Sequence, residues 1–389
     1  MAKLLSNADI AAVCDMRSCI AALHEGIAAM ARRDAVRRPR IDLLAPAEGP
    51  GEYSCFSTMD GLIRGKYYAL RIKPDIISWP VIDGRRRRVT YCMEPGLYGG
   101  LVLLFSAKDA RLLAIMNDGY VQHMRVGALA GIGARYLARP DASVVGMIGS
   151  GGMARSYLEA FCAERPIERV KAFSPNRANL DRFCAEMAAE LSIRVEPQAS
   201  AEAAVRDTHI VATCTNASEP VLRGEWIAAG AHIANVTPWE VDRSTMERID
   251  VVGYLLDRPR LDVRGYRDDA FEVRQSVICY VAGQTEERAG IPTEDRVHQL
   301  AFSRARWGAC VDWESGTTVS RPRDNEVTIL AELALMAMPE GERIRSNLAS
   351  DGIQGLQFAA VAGCAYELAE AAKLGIELPQ THFLQDIPT

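Results

Sequence analysis

The sequence predicts an α/β protein whose central part forms a doubly wound parallel sheet. Strand-like and helix-like segments alternate over about 120 residues in the middle of the chain, and such alternation gives parallel strands with helices on both faces. A glycine-rich turn joins the first strand of this alternation to its first helix. The flanking segments lack the alternation, and 389 residues exceed one ordinary core, so a second domain is expected.

Composition and charge argue against several classes of protein. The chain has 49% hydrophobic and 24% charged residues, as globular proteins do, and its net charge of −5 gives no support to nucleic-acid binding. No apolar run reaches the roughly 18 residues of a membrane span, and the first residues lack a signal peptide's apolar core. The ten cysteines form no CxxC pair, which favours reduced thiols in the cytoplasm. The six histidines form no HxxxH or HExxH motif, so no metal site is expected.

The segment before the alternation has patterns of its own. Apolar residues at spacings of three and four predict one helix over residues 9–31, with Ser6 and Asp9 forming a capping box at its start. Short β-rich runs, punctuated by glycine and proline, follow between residues 53 and 115. An Ala/Gly-rich helix over residues 127–137 then leads into the alternation. Its small residues predict close packing against a sheet.

The segment after the alternation is less regular. Residues 262–320 carry many charges and little periodicity, so they give no interpretable pattern. Helical patterning returns over residues 325–338 and again over 354–375, where Gly375 is expected to stop the helix.

The glycine-rich turn has the GxGxxA form of a dinucleotide-binding fingerprint. Gly149 permits the tight turn, Gly151 lets the backbone approach a pyrophosphate, and Ala154 lets the helix pack closely on the strand. The pyrophosphate would meet the free N–H groups at the positive end of the helix. The residues assigned to cofactor binding in this turn are Gly149, Ser150, Gly151, Gly152, Met153 and Ala154.

The end of the second strand bears on which dinucleotide binds. NAD selectivity usually needs an acidic side chain about 20 residues after the glycines. Ser174 stands there, followed by Asn176 and Arg177, and these three side chains would bind a 2′-phosphate that a carboxylate would repel. NADP(H) is therefore favoured, and NAD(H) stays the alternative. Further cofactor contacts are assigned at the ends of the next two strands, to Thr213, Cys214, Thr215 and Val236.

Five stretches, in order along the chain, resemble one known family. They are RRPRIDLLAP, LRIKPDI, the long run from LLAIMNDGY through HMRVGA and YLARPDAS to the fingerprint, EPVLRGEWIAAGAHIANV, and RPRDNEVTIL. This combination resembles the ornithine cyclodeaminase/mu-crystallin family of NAD(P)-dependent proteins, over nearly the whole chain except residues 262–320. The resemblance implies a Rossmann-type doubly wound parallel sheet inserted in a discontinuous α+β domain.

That architecture divides the chain into two domains. The resemblance implies a substrate-binding and dimerisation domain of residues 1–125 and 325–389, and a Rossmann dinucleotide-binding domain of residues 126–324. It also implies a homodimer that pairs through the first domain. A small-molecule amino or imino acid is the expected partner, with no nucleic acid and no membrane.

The resemblance also implies the chemistry and three of its residues. Family enzymes exchange a hydride between the nicotinamide and the α-carbon of an α-amino or α-imino acid. By similarity, Arg40 and Arg125 would hold the substrate carboxylate, and Lys73 would contact the carboxylate or serve as acid or base near the α-amine. Lys73 and Arg125 are accordingly the expected catalytic residues. The leading interpretation is an NADP(H)-dependent imine or ketimine reductase, or an amino-acid dehydrogenase.

Departures from the family keep two alternatives open. Cyclodeaminases carry an essential aspartate after the strand that corresponds to HIANV, and this chain reads HIANVTPWEVD without it. Glu240 and Asp242 lie nearby but match a later family position, typical of a helix start. One alternative is an ornithine cyclodeaminase-type lyase that recycles its cofactor. The other is a non-catalytic NADPH-dependent small-molecule binder like mu-crystallin.

Overall fold

The computed structural model describes residues 1–254 except 33, 39, 83–84, 87, 218 and 238–239, the backbone of six short strands between 271 and 346, and residues 353–385. These residues form two compact units. The first comprises residues 1–125, the strands between 271 and 281, and residues 353–385; the second comprises residues 126–254 and the strands between 310 and 346. In the part of the chain described, none of the helices has the length and apolarity that crossing a membrane requires.

The helices and strands are numbered in chain order. Within the described residues the α-helices are α1 (Asn7–Ala11), α2 (Met16–Ala31), α3 (Gly119–Leu137), α4 (Gly152–Glu164), α5 (Arg177–Leu191), α6 (Ala201–Val205), α7 (Arg243–Arg248) and α8 (Gln354–Ala371). Short 3₁₀ helices are Gly224–Trp226 and Gln380–His382. The strands are β1 (Ala2–Leu5), β2 (Ala35–Arg37), β3 (Arg40–Pro46), β4 (Tyr53–Ile63), β5 (Tyr67–Ser78), β6 (Val81–Ile82), β7 (Arg85–Arg86), β8 (Val89–Tyr91), β9 (Leu101–Ser106), β10 (Leu112–Asn117), β11 (Val144–Ile148), β12 (Arg169–Phe173), β13 (Arg194–Pro197), β14 (Ile210–Thr213), β15 (His232–Asn235), β16 (Val251–Tyr254), β17 (Phe271–Arg274), β18 (Val277–Val281), β19 (Cys310–Asp312), β20 (Thr317–Val319), β21 (Glu326–Ile329), β22 (Arg345–Ser346) and β23 (Ile376–Leu378).

The first unit is built on a mixed sheet of order β17-β18-β3-β4-β5-β9-β10-β1-β23, as far as the described strands extend. Helix α8 packs across β4 and β5. Two glycines permit this close approach, because a Cβ on Gly355 would stand 1.9 Å from the carbonyl oxygen of Asp60, and one on Gly61 would stand 2.6 Å from the backbone of Gly355. Helix α8 confirms the helix predicted over residues 354–375.

The second unit contains a parallel sheet of order β13-β12-β11-β14-β15-β22-β16-β21 among the described strands. Apolar side chains cover both faces. One cluster includes Leu158 and Phe161 of α4, and the other includes Val211 and Ile233 of the strands. The strand order reverses between β11 and β14, which is the topological switch point of a doubly wound sheet. The predicted fold class, a Rossmann-type α/β fold, is confirmed.

Two predicted helices at the ends of the chain are wrong. The single helix over residues 9–31 is two helices, because the Asp15 side chain accepts from Ser18 N at 2.8 Å and starts α2 after a break. The Ser6–Asp9 capping box is present, at the start of α1. The helix over 325–338 is wrong at Glu326–Ile329, where β21 pairs in parallel with β16; residues 330–338 lie outside those described.

The unit boundaries also differ from the predicted division. The strands β17 and β18 belong to the first unit because β18 pairs in parallel with β3, whereas the prediction had assigned all of residues 126–324 to the second domain. Residues 326–329 lie in the second unit because β21 joins its parallel sheet. The helix predicted over 127–137 begins earlier, at Gly119.

Candidate functional site

The glycine turn of the second unit has the geometry that its sequence predicts. Gly149 has φ +114°, a conformation that favours glycine. A Cβ at this position would stand 2.2 Å from the carbonyl oxygen of Cys214, so no side chain fits. The Gly149 N–H donates to the carbonyl of Phe173 at 2.8 Å, and this bond ties the turn to the end of β12.

The start of helix α4 fits the pyrophosphate of a dinucleotide. Gly151 is the N-cap and no side chain caps this helix, so its first N–H groups lack a side-chain acceptor. Apart from its chain neighbours, no heavy atom of the described residues lies within 4 Å of the position that a Gly151 Cβ would take, which leaves this side of the turn open. Gly152 and Met153 form the first helical residues, and Ala154 is fully buried against the sheet.

Arg155 holds this turn, and no pattern in the sequence had predicted this role. Its Nη1 donates to the carbonyl of Ser150 at 2.9 Å, its Nη2 bonds the Glu186 carboxylate of α5, and its guanidinium lies over the Phe183 ring at 5.4 Å. The Ser150 carbonyl is thereby engaged by a side chain. These contacts connect the turn to α5.

The end of β12 carries no carboxylate. Ser174 is half-buried just past the strand, while Asn176 and Arg177 are exposed. The Asn176 side chain caps α5 by accepting from Asn179 N at 3.0 Å, and Arg177 pairs with Asp181 at 2.9 Å. An exposed pair of this kind contributes little and leaves Arg177 able to exchange its partner for an anion.

The remaining predicted cofactor-binding residues lie at the ends of β14 and β15. Thr213 is fully buried, Cys214 touches the Gly149 turn, and Val236 N donates to the carbonyl of Thr213 at 3.0 Å. Thr215 bonds the carboxylate of Glu240, through its N–H and its hydroxyl, each at 2.7 Å. Asp242, by contrast, caps α7 by accepting from Thr245 N at 2.7 Å.

The first unit brings Arg40 and Lys73 together on one face of its sheet. Ser57 is the cross-strand partner of both Asp42 and Lys73, and partners in register share a face. Arg40 Nε donates to Asp42 at 2.6 Å and its Nη2 to Ser57 Oγ at 2.8 Å. Lys73 is paired with Asp75, two residues along the same strand.

Arg125 lies within helix α3, in its second turn. The sequence predicts that this helix begins after Arg125, at residue 127; that start is wrong, because the helix begins at Gly119. The guanidinium is buried, donates to the side-chain oxygens of Gln122 (at 2.8 Å) and Gln357, and stacks 5.0 Å from the centre of the Phe358 ring. Two amides and one ring therefore fix its orientation.

Arg71 is a further cation of this cluster, missed in the sequence. It lies on β5 two residues from Lys73, pairs with the buried Asp118 at 2.5 Å, and stacks 5.0 Å from the same Phe358 ring as Arg125. Burial lowers the pKa of Arg71, and Asp118 opposes this effect. Arg40, Arg71, Lys73 and Arg125 thus form one group of basic side chains in the first unit, here called the cationic cluster.

The pKa of Lys73 is lowered, first by burial and then by the nearby charges of Arg71 and Arg40. Asp75 acts in the opposite direction by bonding the ammonium. Asp75 is buried, and its second oxygen, Oδ1, has no hydrogen-bond partner among the described residues. A lysine whose pKa is lowered by burial gives up its proton at a lower pH than an exposed lysine does, which favours a role as acid or base.

The chain was compared with known proteins. Residues 98–251 match the ornithine cyclodeaminase/mu-crystallin family. The Delta(1)-pyrroline-2-carboxylate reductase of Bacillus cereus is 31% identical over 239 residues, 61% of this chain and 66% of that protein. An archaeal alanine dehydrogenase dimer with bound NAD has a TM-score of 0.68 at 21% identity, covering 97% of this chain and 99% of that one. The Thermococcus litoralis Delta(1)-pyrroline-2-carboxylate reductase, solved with NADH and L-proline, gives 0.62 at 20% identity, covering 97% and 100%.

These observations define an α/β protein with a Rossmann-type unit that bears a dinucleotide fingerprint, and a further unit that bears a cationic cluster. The solved structures share this fold. The match of residues 98–251 confirms the predicted resemblance to the ornithine cyclodeaminase/mu-crystallin family.

Proposed function

We propose that this chain is an NAD(P)H-dependent oxidoreductase that transfers hydride to or from the α-carbon of a small α-imino or α-amino acid. The observation that carries the proposal is the cationic cluster, which gathers Arg40, Lys73 and Arg125 in a chain that also has the fingerprint turn. The names of the relatives, which include pyrroline-2-carboxylate reductases and an alanine dehydrogenase, support the same reaction class.

Each residue of the proposed site has a separate task. The backbone of the Gly149–Ala154 turn, the side chains of Ser174 and Arg177, and the strand ends at 213–215 and 236 would hold the dinucleotide. When bound, the nicotinamide supplies or accepts the hydride. Arg125, oriented by Gln122 and Gln357, binds the substrate carboxylate as a bidentate fork.

Lys73 holds the proton that the substrate nitrogen gains or loses, because burial has lowered its pKa. Arg40 adds positive charge beside Lys73 and is held by Asp42 and Ser57. A carboxylate that enters the cationic cluster can accept hydrogen bonds from guanidinium groups as well as from the ammonium group of Lys73.

A cyclodeaminase is the weaker proposal. The carboxylates that follow HIANV are already committed, since Glu240 bonds Thr215 and Thr237, and Asp242 caps α7. Neither of them replaces the aspartate that cyclodeaminases use. No particular observation favours a non-catalytic NADPH-dependent binder. A binder needs no acid or base, so the lowered pKa of Lys73 would have no role in it.

A substrate screen tests the proposed reaction class. Cyclic imines, keto acids with ammonia or amines, and amino acids are offered with each dinucleotide, while nicotinamide absorbance and released ammonia are followed. A reductase or dehydrogenase changes the absorbance. Ammonia release without an absorbance change would indicate a cyclodeaminase, and no turnover with tight NADPH binding would indicate a binder.

We propose further that NADPH binds more tightly than NADH, and Arg177→Ala tests this preference. The variant is expected to weaken NADPH by about tenfold or more, the value of one hydrogen bond to a charged group, and to leave NADH nearly unchanged. Fluorescence titration of both cofactors measures it, with the exposed Arg182→Ala as the matched control. A wild-type protein that binds NADH more tightly would contradict the preference.

Lys73→Met is expected to lower kcat strongly and to remove one limb of the pH profile of kcat/KM, because methionine cannot hold a proton. Asp75 raises the pKa of Lys73, so Asp75→Asn lowers it further and moves that limb to lower pH. The exposed Lys66→Met serves as control and is expected to leave the profile unchanged. An unaltered profile in both site variants would show that Lys73 carries no proton in the reaction.

We propose that this chain forms a homodimer through the face of the first unit's sheet that lies opposite the cationic cluster. Leu43 and Phe56 are cross-strand partners, and their side chains are 52% and 50% exposed. They alternate along their strands with Asp42 and Ser57, so they lie on the face away from the cationic cluster. A second copy of this chain is the proposed cover, since the archaeal alanine dehydrogenase of similar fold is a dimer.

Light scattering on the purified chain is expected to give about twice the chain mass of 42.6 kDa at micromolar concentration. Phe56→Glu is expected to give the monomer mass, because a carboxylate in the covered face costs several kcal/mol. The exposed Met93→Glu, on a turn, is the control. A wild-type monomer would refute the dimer.

The cysteines bear on the compartment. All eight whose side chains lie within the described residues are free thiols. Reduced thiols are typical of cytoplasmic proteins, and on this ground we propose a cytoplasmic location.

A further inference from the structure

Glu240 is a buried carboxylate that joins two loops of the second unit. Its exposure is 0%. One oxygen, Oε1, accepts from the N–H and the hydroxyl of Thr215, each at 2.7 Å, and the other, Oε2, accepts from Thr237 N at 2.8 Å. Thr215 follows β14 and Thr237 follows β15, so one carboxylate fixes the carboxyl ends of two neighbouring strands.

These loops lie on one side of the switch point. A doubly wound sheet binds a dinucleotide as two halves across the point where the strand order reverses, here between β11 and β14. The residues that follow β12, on one side, are those proposed for the adenine ribose. The loops after β14 and β15, on the other side, are left for the nicotinamide half.

The Glu240 carboxylate also acts indirectly on the glycine turn, through Thr215 and Cys214. Cys214, next to Thr215, presents the carbonyl that leaves no room for a side chain at Gly149. Bonds that fix Thr215 therefore limit how far this carbonyl can move. The glycine turn and the loops after β14 and β15 are therefore connected to one another by these contacts.

A buried carboxylate without a cation is costly unless hydrogen bonds compensate it. No basic side chain pairs with Glu240 within the described residues, and burial raises its pKa while the bonds from Thr215 and Thr237 lower it. An apolar residue would fill this position at a lower cost in free energy. An apolar residue would not specify the distance between the two loops, whereas the three hydrogen bonds of Glu240 do.

We infer that Glu240 is a positioning residue for the nicotinamide half of the cofactor: it holds the loops after β14 and β15 at the separation that this half requires. The inference rests on the proposed cofactor binding. Glu240 itself does not touch the substrate or the cofactor in this account; it acts through Thr215 and Thr237.

Glu240→Gln tests the inference. A glutamine offers one acceptor and one donor, so its NH₂ group would face the N–H of Thr237, donor against donor. In the purified full chain, the variant is expected to weaken NADPH by about tenfold or more, because cofactor binding must then restore the loop position that the lost hydrogen bond to Thr237 N fixes in the wild type. Adenosine 2′,5′-bisphosphate, which contains only the adenine half, is expected to keep its affinity within about twofold.

The ratio of these two affinities separates positioning from mere stability. A structural defect would weaken the whole cofactor and the fragment alike, and an equal change in both, or no change in either, would overturn the inference. The exposed Glu225→Gln is the matched control, expected to alter neither. If Glu240→Gln fails to fold, Glu240→Asp, which keeps the charge but is too short to reach both loops, is judged by the same ratio. A wild-type chain that binds no dinucleotide would instead refute the proposed function.

Discussion

Arg125→Lys is expected to lower kcat/KM by more than about tenfold while cofactor affinity stays unchanged. The guanidinium of Arg125 is held by the side-chain oxygens of Gln122 and Gln357 and by the ring of Phe358, so it presents a fork of fixed orientation to a carboxylate. A lysine ammonium is a point charge, and it can neither keep both amide bonds nor bind the carboxylate bidentately. Steady-state kinetics with the substrate found in the screen, together with a cofactor titration, measure both quantities.

The exposed Arg111→Lys, in the same unit, is the control for this experiment and is expected to behave like the wild type. A fall in cofactor affinity equal to the fall in kcat/KM would assign Arg125 to the dinucleotide. Wild-type turnover in Arg125→Lys would remove the residue from the active site. Either result would contradict the proposed carboxylate contact.

Gly149→Ala is expected to destabilise the second unit and to abolish measurable dinucleotide binding. The backbone at φ +114° strains an alanine by about 1–3 kcal/mol, and its Cβ would stand 2.2 Å from the Cys214 carbonyl, so the loop after β14 must move as well. Urea unfolding measures the loss of stability, and fluorescence titration measures the loss of binding.

Gly151→Ala is the matched variant two residues along the same turn. Its Cβ meets no atom of the described part of the chain within 4 Å, and the change at an N-cap costs about 1 kcal/mol or less, so stability is expected to stay near that of the wild type. Dinucleotide affinity is nevertheless expected to fall, because the methyl group would occupy the side open to the pyrophosphate. Unchanged NADPH affinity in Gly151→Ala would place the pyrophosphate elsewhere.

Local signals predicted most of the second unit, and the start of α1 in the first unit. The fingerprint turn, the capping box of Ser6 and Asp9, and the order of strands and helices all depend on residues close together in the sequence. The helix over 325–338 failed at Glu326–Ile329 for the opposite reason. Its apolar spacing suits a helix, yet pairing with β16, more than 70 residues earlier, decides the conformation.

The same distinction explains which site residues were found. Arg40, Lys73 and Arg125 were identified by family resemblance, and the structure brings them into one unit. Arg71 and Asp75 lie two residues before and after Lys73 on β5 and so share its face of the sheet, but the resemblance that identified Lys73 assigned them no role. Glu240 was seen but interpreted as a helix start, because no local pattern reveals that its carboxylate reaches two separate loops.

The approach of α8 to β4 bears on the order in which the two units fold during synthesis. Strand β4 leaves the ribosome about 290 residues ahead of the helix that covers it, and β1 likewise waits for β23. The five strands from β11 to β15, in contrast, emerge within one continuous stretch. The face of the first sheet that α8 covers is therefore exposed until residues 354–371 have been synthesised. Gly61 and Gly355 permit this late docking of α8, because a side chain at either position would collide with the backbone of the other element.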